Sequence, residues 1–263
     1  MTAQQSPHGL MRDIGGLPFA SPGFRATPLL TLAASARRKA DPIAFPQLVD
    51  YLDPVNAAEI FARHARDTPE EIPWTPLSPE QEAEVAATME RIVKAMPEWK
   101  PLFSIPTRFR RMEGEYVSST SALIPQTVFL GDVAFTPAYP LEETLVHEYA
   151  HIWMNFIAEI ADLQMESALE NYTLPSGTGG KSLRGVLLAA HFAAAAVTFY
   201  LRSGIGGPRA EERMRYLLDY LDGCNKSTAD DAHLTVMGQA VNGELASWAK
   251  SLRCEADEKF PIS

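Results

Sequence analysis

The pentapeptide His147-Glu148-Tyr149-Ala150-His151 constrains this chain more than any other stretch. It lies within Leu141 to Ile160, where apolar residues recur at helical spacing and Glu142 and Glu143 stand in the first turn, favourably placed for the helix dipole. On a helix, side chains four residues apart stack on one face, so His147 and His151 can offer two imidazoles to one ion. Glu148, one residue on, projects beside them toward a metal-bound water or ligand. This is the His-Glu-x-x-His pattern, whose mechanics are understood for zinc sites.

A metal centre normally takes three protein ligands, and the third must come from elsewhere. One zinc-peptidase class supplies it from a short Gly- and His-containing extension, but Ile152 to Ile157 contains neither residue. A second class takes a glutamate from a downstream helix, for which Glu166 and Glu170 are available. His191 is the better candidate, standing among apolar and small residues in Val186-Leu187-Leu188-Ala189-Ala190-His191-Phe192-Ala193. Its alanine neighbours would let that helix approach another backbone closely. Asn155 is one helical turn past His151 and shares its face. Arg184 lies two turns before His191, where a buried guanidinium could grip the carboxylate of a substrate or co-substrate bidentately. His8, His64 and His233 have no comparable setting and read as surface residues.

The elements around the motif set the expected fold class: α+β, mostly helical, with a zincin-like metal helix beside a small β region and further C-terminal helices. Residues 1–25, with glycine and proline at many positions, read as a mobile N-terminal arm or a segment lying across the domain. Residues 26–263 read as a single metal-binding catalytic domain: a helical part over 26–100, the metal-site core over 101–203 and helices over 204–263. Helices are expected over Pro28 to Lys39 and Val55 to Arg66. Ser78-Pro79-Glu80-Gln81 starts another, with Ser78 as cap, Pro79 at the first helical position and Gln81 completing a capping box. Short strands are expected at Phe109, at Tyr116-Val117 and over Thr127 to Leu130. After a glycine-containing loop over 173–180, helices follow over 182–202, 209–221 and 234–252.

The formal net charge of -10 and the lack of a basic stripe argue against nucleic acid as a partner. Arg37-Arg38-Lys39 reads as a solvated helix end. Cys224 and Cys254 have neither disulfide-framework nor zinc-ribbon spacing and read as buried or half-buried thiols in a reducing cytosol. The start of the chain lacks the basic and apolar regions of a signal peptide. The most apolar run, Val186 to Leu201, reads as too short and weakly apolar for a bilayer span. A cytoplasmic protein without membrane contact is expected.

Leu145-Val146-His147-Glu148-Tyr149-Ala150-His151, then Asn155, a loop containing Tyr172, Leu183-Arg184-Gly185-Val186-Leu187, His191 and Phe199-Tyr200 together resemble bacterial His-Glu-x-x-His peptide-modification proteins. Leu234-Thr235-Val236-Met237-Gly238-Gln239-Ala240 is similar to that family's closing helix. The resemblance spans Val128 to Leu252. It implies an iron(II)- and 2-oxoglutarate-dependent oxygenase that β-hydroxylates side chains of a ribosomally made precursor peptide or a related small substrate. The implied ligands are His147, His151 and His191, with Glu148 orienting a ligand or substrate, and Arg184, Asn155 and Tyr172 near co-substrate or substrate. Many members carry Trp-Arg after the loop tyrosine and proline, where this chain has Ser176-Gly177-Thr178. The co-substrate cation would then be Arg184 or Lys181. Some members have a histidine where this chain has Leu188, which leaves the third ligand open among His191, Glu170 and Glu166.

Two other readings compete. A zinc hydrolase or peptidase would use Glu148 as general base on a bound water, with a carboxylate third ligand. A non-catalytic carrier or regulatory domain would keep the helix without turnover.

Overall fold

The computed structural model describes residues 7–64, 72–169 and 171–260. Residues 1–6 of the expected arm, the expected helix end at Arg66, the His8 side chain and Glu170 lie outside the described residues. In chain order the elements are α1 (Pro7–Ile14), α2 (Ala26–Ala40), α3 (Pro54–His64), β1 (Trp74–Thr75), α4 (Pro79–Ala95), α5 (Lys100–Phe103), β2 (Arg108–Met112), β3 (Ser118–Ser121), β4 (Ile124–Leu130), α6 (Leu141–Ile160), α7 (Leu183–Arg202), α8 (Pro208–Thr228) and α9 (Val236–Lys259). The class is α+β and mostly helical, as expected from the sequence. The chain divides into two compact units, one of Ala26–Ile160 and the other of Met1–Arg25 with Ala161–Ser263.

In the unit Ala26–Ile160, four strands form one sheet in the order β1-β2-β4-β3. β2 and β4 run parallel, while β3 pairs antiparallel with β4 and forms one edge. β4 is buried along nearly its whole length, so its apolar residues Val128, Phe129 and Leu130 form the sheet's contribution to the core. α6 follows β4 and packs against α2, α4, β3 and β4. Its inner side is heavy with aromatics: Tyr149 and Trp153 are fully buried, and Trp153 Nε1 donates to the Leu102 carbonyl at 3.0 Å. Ser78 caps α4 and Gln81 closes the capping box, satisfying two otherwise orphaned amides.

Arg37 corrects one expectation. It is buried rather than solvated, and its Nε and Nη2 grip Glu159 at 2.8 and 2.9 Å. Glu159 stands in the last turn of α6, where a negative charge opposes the helix dipole, so the guanidinium offsets an unfavourable placement. Arg37 Nη1 also donates to the Tyr51 carbonyl and to Gln126 Oε1. Gln126 has a φ of 51°, unusual for a residue with a Cβ. Its amide holds that conformation by donating to the carbonyls of Leu52 and Pro106 at 2.8 and 2.7 Å.

In the other unit, α7 packs against α8 and α9, and α1 packs against α9. Residues 7–25 form a helix and a turn whose Leu10, Ile14, Leu17 and Phe19 are buried. The alanine-rich part of α7 is buried without interruption from Ala189 to Leu201. By length and composition α7 is apolar enough to cross a membrane, unlike the sequence reading of its inner run, and 83% of its apolar window is covered by the fold. Cys224 is buried, and burial pushes its thiol up to about 12. Cys254 is exposed, which corrects its expected burial; it falls on the outer side of α9.

Candidate metal centre

Between Glu143 and Ile157, helix α6 is buried at every position except His147, His151 and Asn155. The three stand four residues apart, so a single stripe of an otherwise enclosed helix reaches solvent. The reason is in the sequence: most of the remaining positions carry apolar residues, among them Leu145, Val146, Tyr149, Ile152, Trp153 and Phe156. The Nε2 atoms of His147 and His151 converge to 2.8 Å, with the rings edge to face. Two nitrogens bound to one first-row ion at about 2.1 Å would lie roughly 3 Å apart at a right-angle bite. The observed 2.8 Å is close to that spacing and is equally the distance of a hydrogen bond between the two rings.

Glu148, between the two histidines in the motif, is buried, with 1% of its surface exposed. Its Oε1 accepts a hydrogen bond from Ser118 Oγ at 2.5 Å, from the first residue of the edge strand β3. Its Oε2 is buried with no hydrogen-bond partner among the described residues. A buried carboxylate with one satisfied oxygen is costly unless something else meets the second. The orphaned oxygen and the two imidazoles lie on neighbouring residues of one helix. Ser118 escaped the sequence reading; the available signal was the polar strand Ser118-Ser119-Thr120-Ser121 just upstream of the motif helix.

The other expected site residues belong to the second unit. His191, on α7, is fully buried; its Nε2 meets the Pro18 carbonyl at 3.0 Å, and its ring is flanked edge-on by Phe19 and Trp248. A ring that donates through Nε2 carries its lone pair on Nδ1. Arg184 stands half-buried in the first turn of α7, where its backbone amide donates to Gln164 Oε1 at 2.7 Å. Tyr172 opens the loop that Lys181 closes by paired backbone hydrogen bonds. The Tyr172 hydroxyl donates to Asp231 Oδ2 at 2.5 Å, a bond that raises its pKa to about 12. Although burial works against it, Asp231 is held below the usual carboxylate range by Tyr172 and His233. Glu166 is exposed. His64 and His233 are partly exposed and lie beside Asp41 and Asp231.

The structure thus brings together His147, Glu148, His151 and Asn155 on one helix and adds Ser118 to them. Among the described residues, no three His, Cys, Asp or Glu side chains are grouped to hold a metal ion. No protein-family model matches the chain, and no curated protein matches it.

Proposed function

We propose that the chain is a metal-dependent enzyme whose ion is held by His147 and His151, and that it is an iron(II)- and 2-oxoglutarate-dependent oxygenase acting on a peptide side chain. The observation that carries the reading is the convergence of the two Nε2 atoms on the one stripe of α6 that reaches solvent. The residues fit an ion in part: two imidazole donors and a neighbouring carboxylate with an unsatisfied oxygen. Iron(II) bound there would supply the redox chemistry by which dioxygen and 2-oxoglutarate are converted to succinate and carbon dioxide while a substrate C–H bond becomes C–OH. Glu148, fixed by Ser118, keeps one face of the motif polar inside an apolar surround and orients what the imidazoles hold. Asn155, one turn further, offers an amide to the substrate at the open stripe. The resemblance adds His191 as third ligand, and Arg184 and Tyr172 as co-substrate or substrate contacts.

Metal analysis and spectroscopy test the reading. The chain should bind one iron(II), and 2-oxoglutarate added without oxygen should produce a weak visible charge-transfer band. A fully iron-loaded protein without that band would exclude the oxygenase. Loss of iron binding in His147→Ala is expected for any chemistry at this site.

A zinc hydrolase is favoured by a different observation. The order of parallel β2 and β4, antiparallel edge strand β3 and then the motif helix suits a zincin-like arrangement. In that reading Glu148 Oε2 is the general base for a bound water. Tight zinc binding with hydrolysis of an unmodified peptide, and no dependence on 2-oxoglutarate, would select it.

A further inference from the structure

Strand β2 reads Arg108-Phe109-Arg110-Arg111-Met112 and carries three guanidinium groups in a chain of net charge -10. Arg111 is neutralised by Asp132 in a two-pronged ion pair. Arg108 and Arg110 are not: among the described residues no carboxylate lies within ion-pair distance of either. Alternate strand residues point to one face, so these two side chains lie side by side on the same face of the sheet. Arg108 is half-buried and spends Nε and Nη2 on a single neutral acceptor, Thr127 Oγ1, at 3.2 and 3.0 Å. Burial, together with the like charge of Arg110, lowers its pKa, with Asp53 acting weakly the other way. Arg110 stacks over the ring of Trp74 at 4.4 Å and donates from Nη1 to the Phe109 carbonyl. Trp74 is half-exposed, whereas Trp99, Trp153 and Trp248 are buried.

An unneutralised guanidinium pair costs stability through desolvation and mutual repulsion, and an anion bound there would relieve both. Of the anions that fit, spacing favours a peptide. Arg108 and Arg110 are two residues apart on a strand, about 6–7 Å along the chain. Carboxylates at alternate positions of an extended peptide repeat at the same interval, so each guanidinium can meet one carboxylate in a forked pair. The half-exposed ring of Trp74, beside Arg110, offers contact for the intervening backbone and side-chain carbons.

We propose that Arg108, Arg110 and Trp74 form a docking site for an extended acidic peptide segment with carboxylates at alternate positions. Its occupancy can be measured on metal-free protein, apart from any chemistry at His147 and His151.

The test is titration of the full chain, in the presence of a chelator, with a synthetic peptide of alternating glutamate and alanine, followed by calorimetry and by the emission of the half-exposed Trp74. Saturable binding is expected, weakening with added salt and falling by about tenfold or more in the Arg108→Gln/Arg110→Gln double variant. Arg110→Gln alone, which leaves the half-buried Arg108–Thr127 contact intact, is the second variant and should weaken binding with the fold preserved by circular dichroism. A peptide of the same composition with its glutamates in one block should bind more weakly. The proposal is overturned by no binding, by binding that both variants retain, or by inorganic phosphate binding as tightly as the alternating peptide, which would make the pair a phosphate site.

Discussion

Ser118 Oγ and Glu148 Oε1 meet at 2.5 Å, so the first residue of an edge strand holds the glutamate of the motif helix. The bond spans 30 residues of chain and is, among the described residues, the only hydrogen bond to a carboxylate that is 1% exposed. Replacing Ser118 by alanine strands that carboxylate entirely. We expect Ser118→Ala to cost about 1–3 kcal/mol, the penalty of a buried polar group without a partner. Glu148→Ala removes the group that needs satisfying, so the double variant should cost less than the sum of the singles by about 1 kcal/mol or more. Urea unfolding of the four proteins checks this; simple additivity would mean that the bond contributes nothing.

Arg37 and Glu159 join α2 to the last turn of α6, with side chains 2% and 13% exposed. Removing one partner leaves the other buried and unmatched. Arg37→Ala is expected to lose about 3–5 kcal/mol, seen as a lower urea midpoint at unchanged slope. Arg37→Met with Glu159→Met should recover much of that loss, because the paired substitution removes both charges and keeps apolar volume. A double variant no better than Arg37→Ala would show that the hydrogen bonds to Tyr51 and Gln126, rather than the ion pair, are what Arg37 contributes.

The contrast between these two pairs and the motif itself explains what could be read in advance. Helix α6 announced itself because its period, its acidic first turn and its histidine spacing are all local. The same holds for the Ser78 cap of α4 and for most of the helical spans. Ser118 and Arg37 did not, because each owes its role to a residue 30 or 122 positions away, and no local pattern marks a serine or an arginine that will be enclosed. Arg37 sits in a cationic run that is ordinarily solvated, and burial came from Glu159 approaching on α6. His191 shows the opposite difficulty: a histidine among alanines has the same sequence signature whether it serves an ion or a carbonyl, and only the structure displays Pro18 on its Nε2.

The Tyr172–Asp231 hydrogen bond couples stability to pH at both ends of the scale. The Tyr172 pKa is raised from 10.0 to about 12 by its hydrogen bond to Asp231. A raised pKa contributes stability that is complete below the unfolded value of about 10 and disappears as pH climbs through about 12. Asp231, lowered from 3.8, contributes stability that is complete above that value and is lost as pH falls through its folded value. Tyr172→Phe should therefore remove a component of alkaline destabilisation between about pH 10 and 12 and shift the acid limb toward higher pH. Unfolding free energies across both limbs measure it. A difference titration between wild type and variant isolates the phenol, since Tyr149 and Tyr220 are also pushed up to about 12. Superimposable alkaline limbs would show that the bond to Asp231 has no share in stability.

His191 offers two roles that one substitution can separate. Its ring is fully buried, hydrogen-bonded to Pro18 and flanked by Phe19 and Trp248, so His191→Ala removes a packed side chain and strands a carbonyl. A loss of about 2–4 kcal/mol is expected, and it should be the same size in chelated protein, because the contacts that cause it involve no ion. The ligand role is read from iron content of the variant under conditions where circular dichroism shows it folded. If Nδ1 is a ligand, iron per chain falls well below that of the wild type and the charge-transfer band with 2-oxoglutarate is lost. Wild-type iron content in a destabilised but folded variant would leave His191 as the core residue that fastens Pro18 to α7, and would return the third ligand to the carboxylates.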